Sequence, residues 1–378
     1  MRRTITARRL VTAERTIEHP RIEIDADGTI LSIETGEATA DETTLTASFL
    51  DIHIHGSVGH DVMQASADGF RKIERFLASR GVGHYLPTTV TAPVEETLEA
   101  LDRIAGAIEA AGVRIGEGRA VPIGIHLEGP FLSHTKRGVH PPEDILPPDI
   151  ALFDRFQEAA RGHIRLMTAA PEMPGALELI EHATAQGVRV SLGHTNALAA
   201  EANAGIAKGA TSATHLFNAM RALDHREPGV IGVVLSNPEM FAELICDGIH
   251  VAPELVEIFF RCKGMERAIL VTDGMSATGM GDGTYKLGNF DVEVRDGRAT
   301  ARGVLAGSVL TLDQAVANFA RFTKTPFAEV TRAVTQNPAK MLGLQERLSI
   351  GVGRAANFNR FAGDGRLVET MLGGVRVA

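Results

Sequence analysis

Histidine and carboxylate side chains recur in this sequence at the ends of apolar runs. His53 and His55 end FLDIHIH, Glu128 ends VPIGIHLE, His194 ends GVRVSLGH, His215 follows GATSAT and Asp273 follows RAILVT. Imidazole nitrogen and carboxylate oxygen together suit a divalent ion such as zinc, iron, cobalt or manganese. The two cysteines, Cys246 and Cys262, form no CxxC pair and read as structural thiols of a reducing compartment. Side chains alternate across a strand, so His53 and His55 share a face and Ile54 turns away. His126 shares a face with Glu128, but Glu128 ranks higher because Gly129-Pro130 marks a strand end turning into a loop. Each residue also has a plain structural explanation: a turn hydrogen bond for His53, solvation for Glu128, a cap for Asp273. Their repetition at strand ends shifts the balance, because a barrel gathers those ends over one pocket.

The elements that must position them are legible as eight apolar runs. LDIHI, GVGHYLPT, VPIGIHL, HIRLMTAA, GVRVSLGH, GATSATHLF, FAELICDG and RAILVTDG alternate with helical patterns such as VEETLEALDRIAGAIEAAG and PGALELIEHATAQG. That alternation predicts an α/β fold with helices covering a parallel sheet. Eight strands suit a closed (β/α)8 TIM-like barrel, with an open doubly wound sheet as the alternative. Both chain ends read as β structure. RIEIDADGTILSIETG predicts a hairpin around Asp27-Gly28, and ANFNRFAGDGRLVETMLGGVRVA has turns between strand-like runs. The expected organisation is a small β-sandwich domain built from residues 1–48 and 349–378 around a catalytic barrel at 49–348. TGMGDGTYKLG reads as a loop, and neither a P-loop nor a convincing GxGxxG phosphate cradle is present.

Composition narrows the function classes. The 378 residues are 44% hydrophobic and 22% charged, which describes a globular chain rather than a disordered one. A formal net charge of −9 argues against nonspecific nucleic-acid binding, although one local basic pocket could still hold a phosphate. The opening MRRTITARRLVTAERT has basic residues but no long apolar segment, so neither a secretory signal nor a membrane span is expected, and the cytoplasm is favoured.

In combination, FLDIHIHG, GIHLEGPF, SLGHTNA, THLFNAM, REPG, CDGIHV, LVTDGMSATG and LAGSVLTLDQAV resemble the N-acetylglucosamine-6-phosphate deacetylase family of the amidohydrolase superfamily. The resemblance implies a metal-dependent barrel flanked by a small β domain and commonly assembled as a homodimer. By the same resemblance Glu128, His194 and His215 are the principal metal ligands, and His53 and His55 match a pair that can hold a second ion. Asp273 matches the acidic residue that serves as base and then acid, and the resemblance also implies contact of Asp273 with that second ion. One or two ions per subunit are implied, zinc first, then iron, cobalt or manganese. His140 matches a histidine near the acetyl carbonyl, Asn218 and Ala219 match contacts to the sugar phosphate, and His250 matches a sugar-pocket histidine. Arg226 resembles an arginine that reaches the phosphate across the dimer interface. The implied reaction is hydrolysis of N-acetyl-D-glucosamine 6-phosphate to D-glucosamine 6-phosphate and acetate. The alternatives are another N-acetylated amino sugar, such as N-acetylgalactosamine 6-phosphate, and a noncatalytic sugar-phosphate sensor.

Overall fold

The structure is a computed structural model that describes residues 2–38, 40–111 and 117–377. Eight parallel strands follow the eight apolar runs: β1 (Phe49–Ile54), β2 (Val82–Pro87), β3 (Ile125–Glu128), β4 (Ile164–Ala169), β5 (Arg189–Leu192), β6 (Ala210–Ala213), β7 (Phe241–Ile245) and β8 (Ala268–Val271). Strands β3 to β8 form one six-stranded sheet in chain order, and β1 pairs with β2 in a separate three-stranded sheet. Isolated parallel bridges join Thr88 to His126 and Ile54 to Gly274, at the two margins between those sheets. The result is a curled, open parallel sheet with β1 and β2 alongside it.

Helices cover the outer face because their apolar residues repeat at helical spacing. In Ala67–Ser79 the Ser66 side chain caps the amino end by accepting from Gly69 N, and Phe70, Ile73 and Leu77 are buried. Val94–Ala111 buries Leu101, Ile104, Ala105 and Ile108 in the same manner. The Gly112 expected to close that helix lies outside the described residues. The inner face of the strands is polar. His126 Nε2 lies 2.8 Å from Thr168 Oγ1, Thr168 lies 2.8 Å from Thr214 Oγ1, and Thr214 donates to Ser191 at 2.8 Å. Thr272 Oγ1 donates to Asp51 at 2.6 Å. This network satisfies groups that would otherwise be buried without partners.

Three sequence expectations change in detail. VPIGIHL is two strands rather than one: Val121–Pro122 pairs with β2, and β3 begins at Ile125 and pairs with β4. Arg165 lies across the break, its Nε donating to Ile123 O at 2.7 Å, and a Cβ on Gly124 would come within 2.4 Å of Arg165 Cδ. TGMGDGTYKLG is not wholly a loop. Its second half forms Gly283–Leu287, the first strand of a four-stranded antiparallel sheet that continues through Phe290–Arg295, Arg298–Ala301 and Val304–Leu305. Of the two thiols, Cys246 is buried but Cys262 is exposed, so only the former is enclosed by the core.

The hairpin around Asp27-Gly28 is present, Pro20–Ile24 pairing antiparallel with Ile30–Thr35. The two termini share a six-stranded sheet, in which Thr44–Ala47 pairs antiparallel with Phe358–Phe361. Among the described residues, no helix is long and apolar enough to cross a membrane.

Candidate metal centre

The carboxyl ends of β1, β3, β5, β6 and β8 deliver His53, His55, Glu128, His194, His215 and Asp273 to one buried place. Two triads assemble there, His53–His55–Asp273 and Glu128–His194–His215. Glu128 joins them. Its Oε1 lies 3.4 Å from His53 Nε2, 3.4 Å from His194 Nε2 and 3.2 Å from His215 Nε2, while Oε2 lies 3.3 Å from His55 Nε2. Asp273 Oδ1 lies 3.1 Å from His55 Nε2 and 3.5 Å from His53 Nε2.

Local backbone geometry makes this convergence possible. His194, His215 and Asp273 all have positive φ, at 46°, 29° and 50°. Such conformations cost roughly 1–3 kcal/mol each for a residue with a side chain, so the surroundings must hold them. Asp273 N donates to His53 O at 2.9 Å, and Asp273 O accepts from Ser308 N at 2.7 Å. His194 O accepts from Ser133 N at 2.9 Å.

The donor set fits a divalent cation. A carbonyl oxygen can only accept, so His55 Nδ1 must donate to Thr88 O at 3.0 Å and His194 Nδ1 to Lys136 O at 3.0 Å. In their neutral forms both rings then present the Nε2 lone pair to carboxylate oxygens, which also carry lone pairs. His53 Nε2 and Glu128 Oε1 are buried without a hydrogen-bond partner among the described residues. A cation between these atoms removes the repulsion, and second partners on the imidazoles are the usual support of metal-ligating histidine.

Without such a cation the centre favours protons on His53 and His55. Burial opposes charge on His55, but hydrogen bonds and charge from Asp273 and Glu128 outweigh it and raise the ring to about 9. For His53 burial is likewise overcome by Glu128 and Asp273, and its pKa lies well above the usual range. Burial alone would raise Asp273, yet His53 and His55 bring it down to about 2. Glu128 is held well below the ordinary carboxylate range because His53, His194 and His215 outweigh its burial.

Above the triads lies a pocket of about 290 Å³, lined by His140, Asn218, Ala219 and His250 together with five of the six residues of the triads. His53 lies beneath it, fully buried. Leu287, Val304 and Leu305 of the antiparallel sheet form part of the wall. His140 Nδ1 accepts from Thr91 N at 3.2 Å and lies 2.7 Å from Thr91 Oγ1. Neutral His140 therefore carries its proton on Nε2, which is 3.8 Å from Glu128 Oε2. Burial, then the neighbouring His194, pushes the His140 pKa well below the usual range, so the ring stays a neutral donor. His250 Nδ1 lies 2.6 Å from Asp247 Oδ2, which orients that ring. Asn218 Nδ2 donates to His215 O at 3.2 Å, so it ties down the turn after β6 rather than capping a helix. Arg226 is the predicted site residue not brought to the pocket: it is exposed, and its backbone N donates to Asp224 Oδ1 at 2.8 Å.

Thr91, Asp247 and Glu243 support these groups and were not singled out from sequence. For Glu243 a signal was present, an acid inside the apolar run FAELI.

The amidohydrolase family pattern matches residues 44–377. The chain is 39% identical over 348 residues to an N-acetylgalactosamine-6-phosphate deacetylase of Escherichia coli O157:H7, covering 91% of this chain and 90% of that protein. It is 36% identical over 362 residues to the N-acetylglucosamine-6-phosphate deacetylase of Vibrio furnissii, covering 93% and 89%. The chain belongs to the amidohydrolase family, in its N-acetylglucosamine-6-phosphate deacetylase branch. Two solved structures of that branch share its fold along nearly the whole length. A Mycobacterium smegmatis deacetylase mutant in complex with N-acetyl-D-glucosamine-6-phosphate superposes with a TM-score of 0.93 at 31% identity, covering 100% of this amidohydrolase and 99% of that chain. The Thermotoga maritima enzyme gives 0.90 at 32%, with the same coverage.

Proposed function

We propose that this amidohydrolase hydrolyses N-acetyl-D-glucosamine 6-phosphate to D-glucosamine 6-phosphate and acetate. The observation that carries the reading is Glu128, one carboxylate shared by two histidine-containing triads, beside Asp273 and under a pocket lined by His140 and His250. Glu128, His194 and His215 would hold one divalent ion, and His53, His55 and Asp273 a second. Zinc is the first choice for the metal, with iron, cobalt or manganese as alternatives of the same ligand chemistry. A bound ion supplies polarisation of the acetyl oxygen and acidification of a water. Asp273 is ionised and accepts the proton of the attacking water as the new C–O bond forms. His140 Nε2–H faces the pocket and donates to the oxygen on which negative charge develops. Asp273 then returns the proton to the sugar nitrogen as the C–N bond breaks, so no net proton is gained or lost by the site.

The proposed assembly is a homodimer in which Arg226 of one copy serves the phosphate bound in the other. An exposed guanidinium suits that task, because its paired donors match phosphate oxygens despite the overall negative charge. The eight strands are proposed to close as a (β/α)8 barrel, the bridges at Thr88–His126 and Ile54–Gly274 sealing its two margins. Residues 49–348 then form the catalytic domain, and 1–48 with 349–378 the terminal β domain, of a cytoplasmic enzyme.

N-acetylgalactosamine 6-phosphate is the second reading, favoured by the 39% identity to the Escherichia coli protein of that name. Acetate release from both phosphorylated sugars and their unphosphorylated forms, with metal analysis of the same preparation, separates these readings. Phosphate-dependent acetate release from the glucosamine epimer is expected, and release from the galactosamine epimer alone would reassign the substrate. Arg226→Ala should weaken the phosphorylated substrate far more than its unphosphorylated counterpart; equal losses would remove Arg226 from phosphate recognition. A metal-loaded preparation that releases acetate from none of them would reject the deacetylase reading.

A further inference from the structure

Glu243 lies in the middle of β7, and its side chain is fully buried. A buried carboxylate is costly unless hydrogen bonds or charge compensate it. Its compensation comes from the metal centre. Glu243 Oε2 is 3.1 Å from His53 Nδ1 and accepts from the backbone N of His215 at 3.4 Å. The backbone oxygen of Glu243 also accepts from Leu216 N at 2.8 Å, fastening the residue that follows His215. One amino acid thus touches a prospective ligand from each triad: the His53 ring from one and the His215 main chain from the other.

The consequence for His53 is directional. A carboxylate at Nδ1 favours the tautomer with its proton on that nitrogen, leaving Nε2 free to face Glu128 and Asp273. His126, the nearest other imidazole, packs edge-on to His53 at 4.6 Å between ring centres but bonds to Ile52 O and Thr168 instead. Among the described residues, Glu243 is therefore the group with a hydrogen bond to Nδ1 of His53. For His215 the constraint falls on a backbone at a φ of 29°, where support is needed to keep the side chain aimed at Glu128.

We infer that Glu243 is a positioning residue of the metal centre, aligning the His53 ring and the His215 backbone through one carboxylate and so coupling the two triads. The inference rests on the metal-centre reading of the proposed function. Carboxylates that orient metal-bound imidazoles typically account for about 10- to 100-fold in metal affinity.

The test strips the 378-residue chain of metal and titrates it with Zn²⁺ and Co²⁺, for the parent, Glu243→Gln and Glu243→Asp. Glutamine preserves volume but can offer either an amide hydrogen or an oxygen to His53, so the tautomer is no longer dictated. The expected result is roughly 10- to 100-fold weaker binding in Glu243→Gln. Changed cobalt absorption bands should accompany it, with partial recovery in Glu243→Asp. Parental affinity and bands in Glu243→Gln, with only a lower melting temperature, would mean a purely structural role and overturn the inference. If Glu243→Gln does not fold, Glu243→Asp decides alone, since its shorter stem should still weaken binding and shift the bands. A parent that binds neither ion would reject the metal centre itself, whereas a parent that binds and variants that bind equally reject only the role of Glu243.

Discussion

At the scale of residues, legibility followed exposure to a strand end. Glu128, His194, His215 and Asp273 close apolar runs, and their types set them apart from the hydrophobic residues before them. His53 and His55 were placed on one face by strand alternation, and both meet Asp273. Glu243 is not legible locally because its task depends on the His53 ring of β1 and the backbone after β6 both reaching β7, which no local pattern states. Asp273 carries the clearest residue-level prediction. Asparagine keeps its shape but cannot take a proton as a carboxylate does, so Asp273→Asn should lose about 100- to 10,000-fold in turnover. Acetate release should be measured on protein whose metal content and melting temperature are recorded beside the parent's. Near-parental turnover in the metal-loaded variant would remove Asp273 from the proton transfer.

At the scale of elements, the parallel strands were readable because burial on both faces makes them nearly continuous apolar runs. The antiparallel sheet over the pocket was harder to see. FDVEVR alternates buried Val292 and Val294 with exposed residues before an Asp296-Gly297 turn, yet the glycine-rich approach TGMGDG dominates the local impression. The loop after β3 shows what elements contribute to the site. Gly129 has a φ of +83°, and a Cβ there would lie 2.0 Å from Thr91 Oγ1. Thr91 is also the residue that holds His140 through Nδ1. Gly129→Ala should therefore destabilise the protein by roughly 1–2 kcal/mol through its left-handed backbone alone. Displacement of Thr91 should also misplace His140 and cost about 10- to 100-fold in turnover. Adding Thr91→Ala relieves the overlap and should restore part of the stability without restoring turnover. Thermal melts and acetate kinetics of the single and double variants check this; parental values in the single variant would show that Thr91 is not crowded by residue 129.

At the scale of the whole molecule, the shared β character of the two termini points to their joining, but which strands pair is a long-range fact. Thr44–Ala47 reaches Phe358–Phe361, and Ser48 alone separates it from β1. Asn359 Nδ2 donates to Gly81 O at 2.8 Å, fastening the terminal sheet to the start of β2. His84 on β2 lines a cleft at this junction with Arg347, Arg354 and Asn357. Burial, then the charge of Arg347, lowers the His84 pKa to about 4 from an ordinary 6.5. Between those values the unfolded chain binds a proton that the folded chain refuses, so stability falls with falling pH across that window. Above pH 6.5 both states leave His84 neutral, and the effect vanishes. His84→Asn removes the titration while keeping a polar side chain. Melting temperatures of parent and variant, taken at intervals over that range, should show the parent losing more stability on acidification. Subtracting one profile from the other cancels other acid-sensitive groups, the metal centre included, to the extent that the substitution leaves them unchanged. Parallel profiles would mean that His84 is protonated equally well in the folded junction, and that the arginine-lined cleft does not disfavour its charge.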